Sequence, residues 1–321
     1  MIDYDKKNKK FTLLNRRLCS MCIDVHTHLW PVSETTDELK AYFEKRKIKE
    51  IASIFTSEGL LKLMEESGIT RSIVSTTALR SHMNNEELSQ HNKYVITEVK
   101  KAKGKLAGFC TIDPMVKDES IHTLKHCIEE LGFQGLKLHP VIQQFYPNDR
   151  RLHPIYETMQ NYRMPILFHS GGIGIVPFKD SYGQPRLLDD VACDFPELPI
   201  IIGHGGRIWY NETAMLLRKH PHVYTDISTN FGRSAAHKSA PLEWMLYKIK
   251  VWAGDLKKVL FGSDYPFYYQ KESLEALGSA RELLNTKYED FMTAEDVKGI
   301  TEENPKRFCK MYNIFNEESG I

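Results

Sequence analysis

A chain of 321 residues, 41% of them hydrophobic and with a formal net charge of +1, has enough apolar mass for one large folded domain or two ordinary ones. The balanced charge excludes the broad basic surface that a nucleic-acid partner requires. No apolar run approaches the roughly 18–20 residues that span a bilayer, so a membrane partner is excluded as well. Met1 to about Arg17 is charged and carries no apolar h-region, so residues 1–17 read as a polar, solvated leader and residues 18–321 as the folded part. The six cysteines (Cys19, Cys22, Cys110, Cys127, Cys193 and Cys309) are too scattered for a disulfide framework and fit reduced thiols in a cytoplasmic protein. Cys19 and Cys22 have the spacing of a metal or redox pair, but with no second pair they read first as ordinary small apolar residues.

Short apolar runs rich in Val and Ile fall at about 22–28, 72–77, 106–112, 134–139, 165–169, 198–204, 222–227 and 258–264. Each reads as a strand buried on both faces. Between them lie amphipathic stretches such as Glu86–Lys103, Asp118–Leu131, Leu152–Tyr162, Leu187–Phe195, Pro241–Ala253 and Lys271–Leu284. Eight buried strands alternating with helices predict an α/β fold, a (β/α)8 TIM barrel in a single domain. The first βα connection, from Trp30 to Arg71, is extended and holds at least two helical stretches. The loop from Gly171 to Gln184 is rich in Gly and aromatic residues, and long loops of this kind form lids and pocket walls. Near the end, Asn304 followed by Pro305 predicts a closing helix with Asn304 as its N-cap.

His26 and His28 are one residue apart on the first strand. Side chains alternate faces along a strand, so both imidazoles point the same way and can meet one metal ion, with Asp24 one step deeper on the same face. His139, His169, His204, Asp226 and Asp264 end later strands, and the C-terminal strand ends are where a barrel gathers its catalytic groups. Each alone has a plain alternative, a core histidine with an internal partner or a carboxylate beside a histidinium. Together at one mouth they are costly unless they bind something. His204 lies between glycines that let backbone and ligand approach closely. Three or four N/O ligands with an open position is the pattern of a catalytic zinc rather than a structural one.

The ordered set DVHTH, GLKLHP, ILFHSG, IIGHGG, VYTDIS, FGSDYP and ENPKRF, over about residues 22–312, resembles the amidohydrolase superfamily. The likeness is to the amidohydrolase-related branch, which includes decarboxylases of aminocarboxymuconate semialdehyde and of resorcylates. It implies His26, His28, His169 and Asp264 as metal ligands, and His204 as acid/base or second metal contact. It also implies one divalent ion, commonly zinc. Lys137, in GLKLHP, should face the interior. In other branches a lysine on this strand is carboxylated and bridges two metals, which would make the centre binuclear. The other reading is an interior amine paired with Asp24 or Asp226. His139 reads as part of the pocket wall, or as a residue behind the ligands.

The first functional expectation is a metal-dependent hydrolase that acts on an amide, lactone or ester bond of a small organic acid. Metal-activated water, with a pKa of roughly 7, would give its proton to Asp264, and His204 would stabilise the developing oxyanion. A non-oxidative decarboxylase (carboxy-lyase) of a small aromatic or unsaturated acid is the alternative, since one constellation serves several reactions. A catalytically inactive metal-binding barrel stands third. Trp30, His139, Arg207, Arg233 and Phe267 are candidate substrate contacts, because cations and aromatics at a mouth suit a small anionic acid. The partners are then that acid and, if the chain assembles, a second copy in a homodimer.

Overall fold

The computed structural model describes residues 2–5, 10–13, 21–46, 51–232 and 238–315. Within the leader, β1 (Ile2–Asp5) and β2 (Lys10–Leu13) pair as an antiparallel hairpin with Ile2 opposite Leu13, a regular element that the sequence reading did not anticipate. All eight apolar runs contain strands: β3 (Ile23–His28), β4 (Arg71–Ser75), β5 (Leu106–Phe109), β6 (Leu136–Leu138), β7 (Ile166–Phe168), β8 (Ile200–Ile202), β9 (Val223–Asp226) and β10 (Val259–Leu260). Their described residues are buried throughout, as parallel strands covered on both faces must be.

The strands pair in chain order and in parallel, as β3-β4-β5 and as β6-β7-β8-β9-β10. Backbone hydrogen bonds join the two sheets at both seams. At one, Cys110 N–H donates to the Gly135 carbonyl (2.9 Å) and Lys137 N–H to the Cys110 carbonyl (2.7 Å). At the other, Val25 N–H donates to Phe261 (2.9 Å), His28 N–H to Tyr265 (2.7 Å) and Asp264 N–H to the His26 carbonyl (2.8 Å). The result is the (β/α)8 barrel, and the second seam sets His26 and His28 beside Asp264. A glycine at 262 makes that approach possible: a Cβ there would lie 2.9 Å from the Cβ of His26 and 3.1 Å from that of Asp226.

The extended first loop carries helices Asp37–Lys45, Ile51–Ile54 and Ser57–Ser67. Thr36 and Thr56 cap two of them by accepting from the amides of Leu39 and Gly59. No helix among the described residues is long and apolar enough to cross a membrane. Cys22 is buried in the core, while Cys19 lies outside the described residues.

The closing helix, Asn304–Met311, exists but is not capped as expected. It continues from a wide turn, Gly299–Glu303, so Asn304 already has helical φ/ψ (−67°, −49°). Its side-chain amide instead donates to the carbonyls of Leu256 and Val259, both at 2.9 Å, which pins the helix to the start of β10. Phe308, Tyr312 and Phe315 then share a core cluster with Ile23, Ile73, Leu167, Ile201 and Leu260 from the barrel strands. Asn304→Ala removes both bonds, leaving the Leu256 carbonyl only the Val259 amide (3.0 Å), and is expected to cost about 1–3 kcal/mol of stability, read from urea unfolding midpoints. An unchanged midpoint would mean that water or a rotated neighbour replaces the amide.

Candidate metal centre

The ring nitrogens of the mouth histidines are held in defined tautomers by what lies behind them. His28 Nδ1 is 3.0 Å from the backbone carbonyl of Ser75. A carbonyl only accepts, so Nδ1 carries the proton and Nε2 an exposed electron pair. His26 Nδ1 lies 2.9 Å from Asp226 Oδ2. Burial opposes ionisation of Asp226, but the neighbouring His26 and the hydroxyl and amide of Ser228 outweigh it and hold the carboxyl below its ordinary range. An ionised Asp226 only accepts, so His26 Nδ1 carries a proton, and its Nε2, which faces the Lys137 ammonium at 2.9 Å, is the acceptor.

Those two bare nitrogens are 3.1 Å apart. Asp264 Oδ1 is 3.2 Å from His28 Nε2 and 3.7 Å from His26 Nε2. Three electron pairs thus converge on one point with no proton among them, an arrangement that calls for a cation. A side-chain cation is close by: Lys137 Nζ lies 2.9 Å from His26 Nε2. Burial lowers the Lys137 pKa to about 8 against the pull of the Asp264 and Asp226 charges. Its partner is thus His26, rather than the Asp24 or Asp226 of the sequence reading.

A second chain of bonds supplies a fourth electron pair. The Ser228 hydroxyl donates to Asp226, so it accepts from His204 Nδ1 at 2.7 Å. His204 Nε2 is then an acceptor for His169 Nδ1, 3.0 Å away. This leaves His169 Nε2, a buried atom with no hydrogen-bond partner. Burial is the main reason that His28 is lowered to about 4 and that His139, His169 and His204 are pushed well below the ordinary histidine range. Neutral imidazoles are what a metal needs. His139 stacks on His169 with centroids 3.8 Å apart, and its Nδ1 accepts from the Ile142 amide, so it braces a candidate ligand.

Asp24 does not reach the convergence point. Its carboxylate accepts from the amides of His26 and Ser263 and from the Ser263 hydroxyl (2.6 Å), tying β3 to the strand-end loop that bears Asp264. Burial raises its pKa to about 7 even so. His204, Arg207, Thr229 and Asp264 all have positive φ (60°, 47°, 52° and 66°), a conformation that costs non-glycine residues energy and that clusters at functional sites.

The substrate-side candidates divide. Arg207 sits at the mouth, with Nη1 donating to the Gly172 carbonyl (2.8 Å) and Nη2 reaching Thr229 Oγ1 (3.3 Å), while its buried Nε has no partner. Trp30 is fully buried against Phe55 and Phe267, and its indole N–H donates to Thr35 at 3.0 Å. It stiffens the wall rather than offering a face to a ligand. Phe267 is half-buried in the same aromatic group, with Tyr42 and Phe43. Arg233 lies outside the described residues. Sequence reasoning missed Ser228, whose one hydroxyl links Asp226 to His204. Nothing in a lone serine two residues after a strand-end aspartate marks it without the fold.

Fold and donor set together describe a (β/α)8 barrel whose strand ends gather donors that could hold a divalent metal. The family model described as amidohydrolase matches residues 23–310, and the chain belongs to that family. A 2-keto-4-carboxy-3-hexenedioate hydratase from Sphingobium sp. (strain NBRC 103272 / SYK-6) is 26% identical over 224 residues, 58% of this chain. The match spans 65% of that relative's length. Among solved structures, the 2,6-dihydroxybenzoate decarboxylase from Rhizobium superposes with a TM-score of 0.66 at 15% identity, covering 91% of this chain and 99% of that one. A dihydroxybenzoic acid decarboxylase from Polaromonas sp. JS666, with bound manganese and the inhibitor 2-nitroresorcinol, gives 0.65 at 17% identity, covering 94% and 99%. At such identities these two likenesses concern the fold.

Proposed function

We propose that one divalent ion is held by His26 Nε2, His28 Nε2, His169 Nε2 and Asp264 Oδ1, and that the enzyme directs water at a small organic acid. The expected reaction is hydrolysis of an amide, lactone or ester bond. The observation that carries this reading is the convergence of unprotonated donors from His26, His28 and Asp264; His169 is added for its orphaned buried Nε2, on a ring bonded to His204. An ion so placed supplies Lewis acidity, lowering the pKa of a nearby water to about 7 and polarising a carbonyl.

The chain's own residues do the rest. Asp264 takes a proton from the attacking water and passes it to the leaving group. His204, which spends its Nε2 on His169, orients that ligand first and meets substrate only if the pair parts. Arg207 offers its unmet Nε to a carboxylate on the substrate. The hydratase relative fits the same use of water, by addition to a double bond instead of cleavage. Zinc is the first choice of metal for this mostly imidazole site, with manganese the alternative.

The decisive experiment is turnover of a panel of lactones, amides and unsaturated acids in 18O-labelled water. Label in the product, without CO2, is expected. Release of CO2 with no label would establish the second reading, a carboxy-lyase, which draws support from the decarboxylases that share the fold. Lys137 tests the ion count. Lys137→Met is expected to hold the same single equivalent of metal as the parent by elemental analysis. A fall from two to one would mean a carboxylated lysine and a binuclear centre.

A further inference from the structure

A second group of metal-type donors lies outside the barrel mouth. Asp189 and Cys193 are four residues apart on helix Leu187–Asp194, and so share one face. His220 follows helix Tyr210–Lys219, its backbone fixed at both ends: its N–H donates to Leu216 (2.9 Å) and its carbonyl accepts from Lys258 (2.7 Å). One ligand atom from each of Asp189, Cys193 and His220 lies within 4.8 Å of the other two. His220 Nε2 is already 2.7 Å from Asp189 Oδ1, and the His220 side chain is only 10% exposed while Asp189 is 39% exposed, so the donors line a wall that is open on one side.

A cation already occupies that opening. Lys219 Nζ donates to both Asp189 oxygens (2.8 and 2.9 Å) and to Cys193 Sγ (3.4 Å). The Lys219 side chain is 52% exposed and free to swing into water. The donors thus surround a positive charge that can leave. Beside them runs a groove of about 500 Å³, lined in part by Asp189, Glu212, Met215 and Lys219, from which water can complete a coordination shell.

We infer that Asp189, Cys193 and His220 form a peripheral site for a zinc-type divalent cation, with Lys219 as the resident charge that the ion displaces. One thiolate, one imidazole and one carboxylate make a mixed S/N/O set that suits a borderline-soft ion with tetrahedral preference, and not calcium or magnesium. On binding, the Cys193 thiol loses its proton to solvent, the His220 imidazole binds neutral through Nε2, and the Lys219 ammonium turns outward with its proton retained. The site is distinct from the barrel centre, whose donors are nitrogen and oxygen only.

That difference supplies the test. Cobalt(II) titrated into the full-length protein gives a sulfur-to-metal charge-transfer absorption only where a thiolate binds it. The expected result is such a band, saturating near one equivalent per chain. It should be absent in Cys193→Ser and weakened about tenfold or more in affinity in His220→Ala. In Lys219→Met, where the competing charge is gone, binding should tighten. Circular dichroism identical to the parent shows that each variant is folded. No band in either the parent or Lys219→Met would overturn the proposal and leave the group as an ion-pair hub between two helices. A band that survives Cys193→Ser would overturn it too, by assigning the thiolate to another cysteine.

Discussion

Asp264→Asn is expected to lower turnover by at least the roughly 10²–10⁴-fold that follows loss of a general acid–base group, measured per bound metal at saturating ion. The substitution is gentle on the fold. The turn at 264 is held by its backbone, whose N–H donates to the His26 carbonyl (2.8 Å) and whose carbonyl accepts from the Phe267 amide (2.9 Å), and neither bond uses the carboxylate. An asparagine oxygen can still face His28 Nε2, so some metal affinity should remain. The amide cannot take up a proton. If turnover per metal recovers fully as the ion is raised, the carboxylate serves as a ligand only, and the proton is moved by another group, with His204 the first to test.

His28→Ala is expected to fail in the opposite way, losing metal first and activity with it, and to regain part of both in excess zinc or manganese. His28 suits this test better than His26. Removing His26 would strip the buried Asp226 of its 2.9 Å partner, and breaking such a pair costs about 3–5 kcal/mol, which would confuse binding with folding. Removing His28 frees the Ser75 carbonyl and takes away its contacts with Asp264 (3.2 Å) and His26 (3.1 Å), but leaves the His26–Asp226 pair in place. Elemental analysis and thermal melting of the same sample separate the two losses. A His28→Ala protein that keeps its full metal content would remove His28 from the ligand set.

Acid should imitate that variant. His28 is lowered to about 4 by burial, against about 6.5 in the unfolded chain. Between those values the unfolded state binds the proton and the folded state does not. The His28 contribution to stability therefore rises with pH across that window and is lost as pH falls from about 6.5 toward 4, while Asp24, raised to about 7 by burial, contributes in the opposite direction over much of the same range. Metal binding, which needs the bare nitrogen, should weaken in the same direction.

The barrel was legible because strands buried on both faces appear in sequence as unbroken apolar runs, each ended by a polar residue and a turn former. The histidine pair was legible for a similar reason, since a period of two fixes which neighbours share a face. The tautomers were not legible. They depend on Ser75 offering a carbonyl and Ser228 a hydroxyl, and those contacts exist only once β3 lies beside β4 and β8 beside β9. Trp30 misled because a tryptophan just after a strand end can face either the mouth or the wall. Here the helices of the long first loop close over it, with Phe55 at 4.4 Å between centroids. Asn304 misled because capping is a local rule, and its amide found two distant carbonyls instead.

The seam between β3 and the end of β10 joins the first barrel strand to the last, with more than two hundred residues of chain between His26 and Asp264. An ion shared across that seam would find its full set of ligands only in a chain that has come full circle. A nascent polypeptide has no such site until residue 264 and its neighbours have been made, however well its earlier strands have paired. The proposed ion would then work as a latch: at about a thousandfold excess over its dissociation constant it would add about 4 kcal/mol to the closed state, and less to partly wound chains that lack Asp264. The supply of metal in the cell would set how much of the newly made protein stays shut, before any substrate is met.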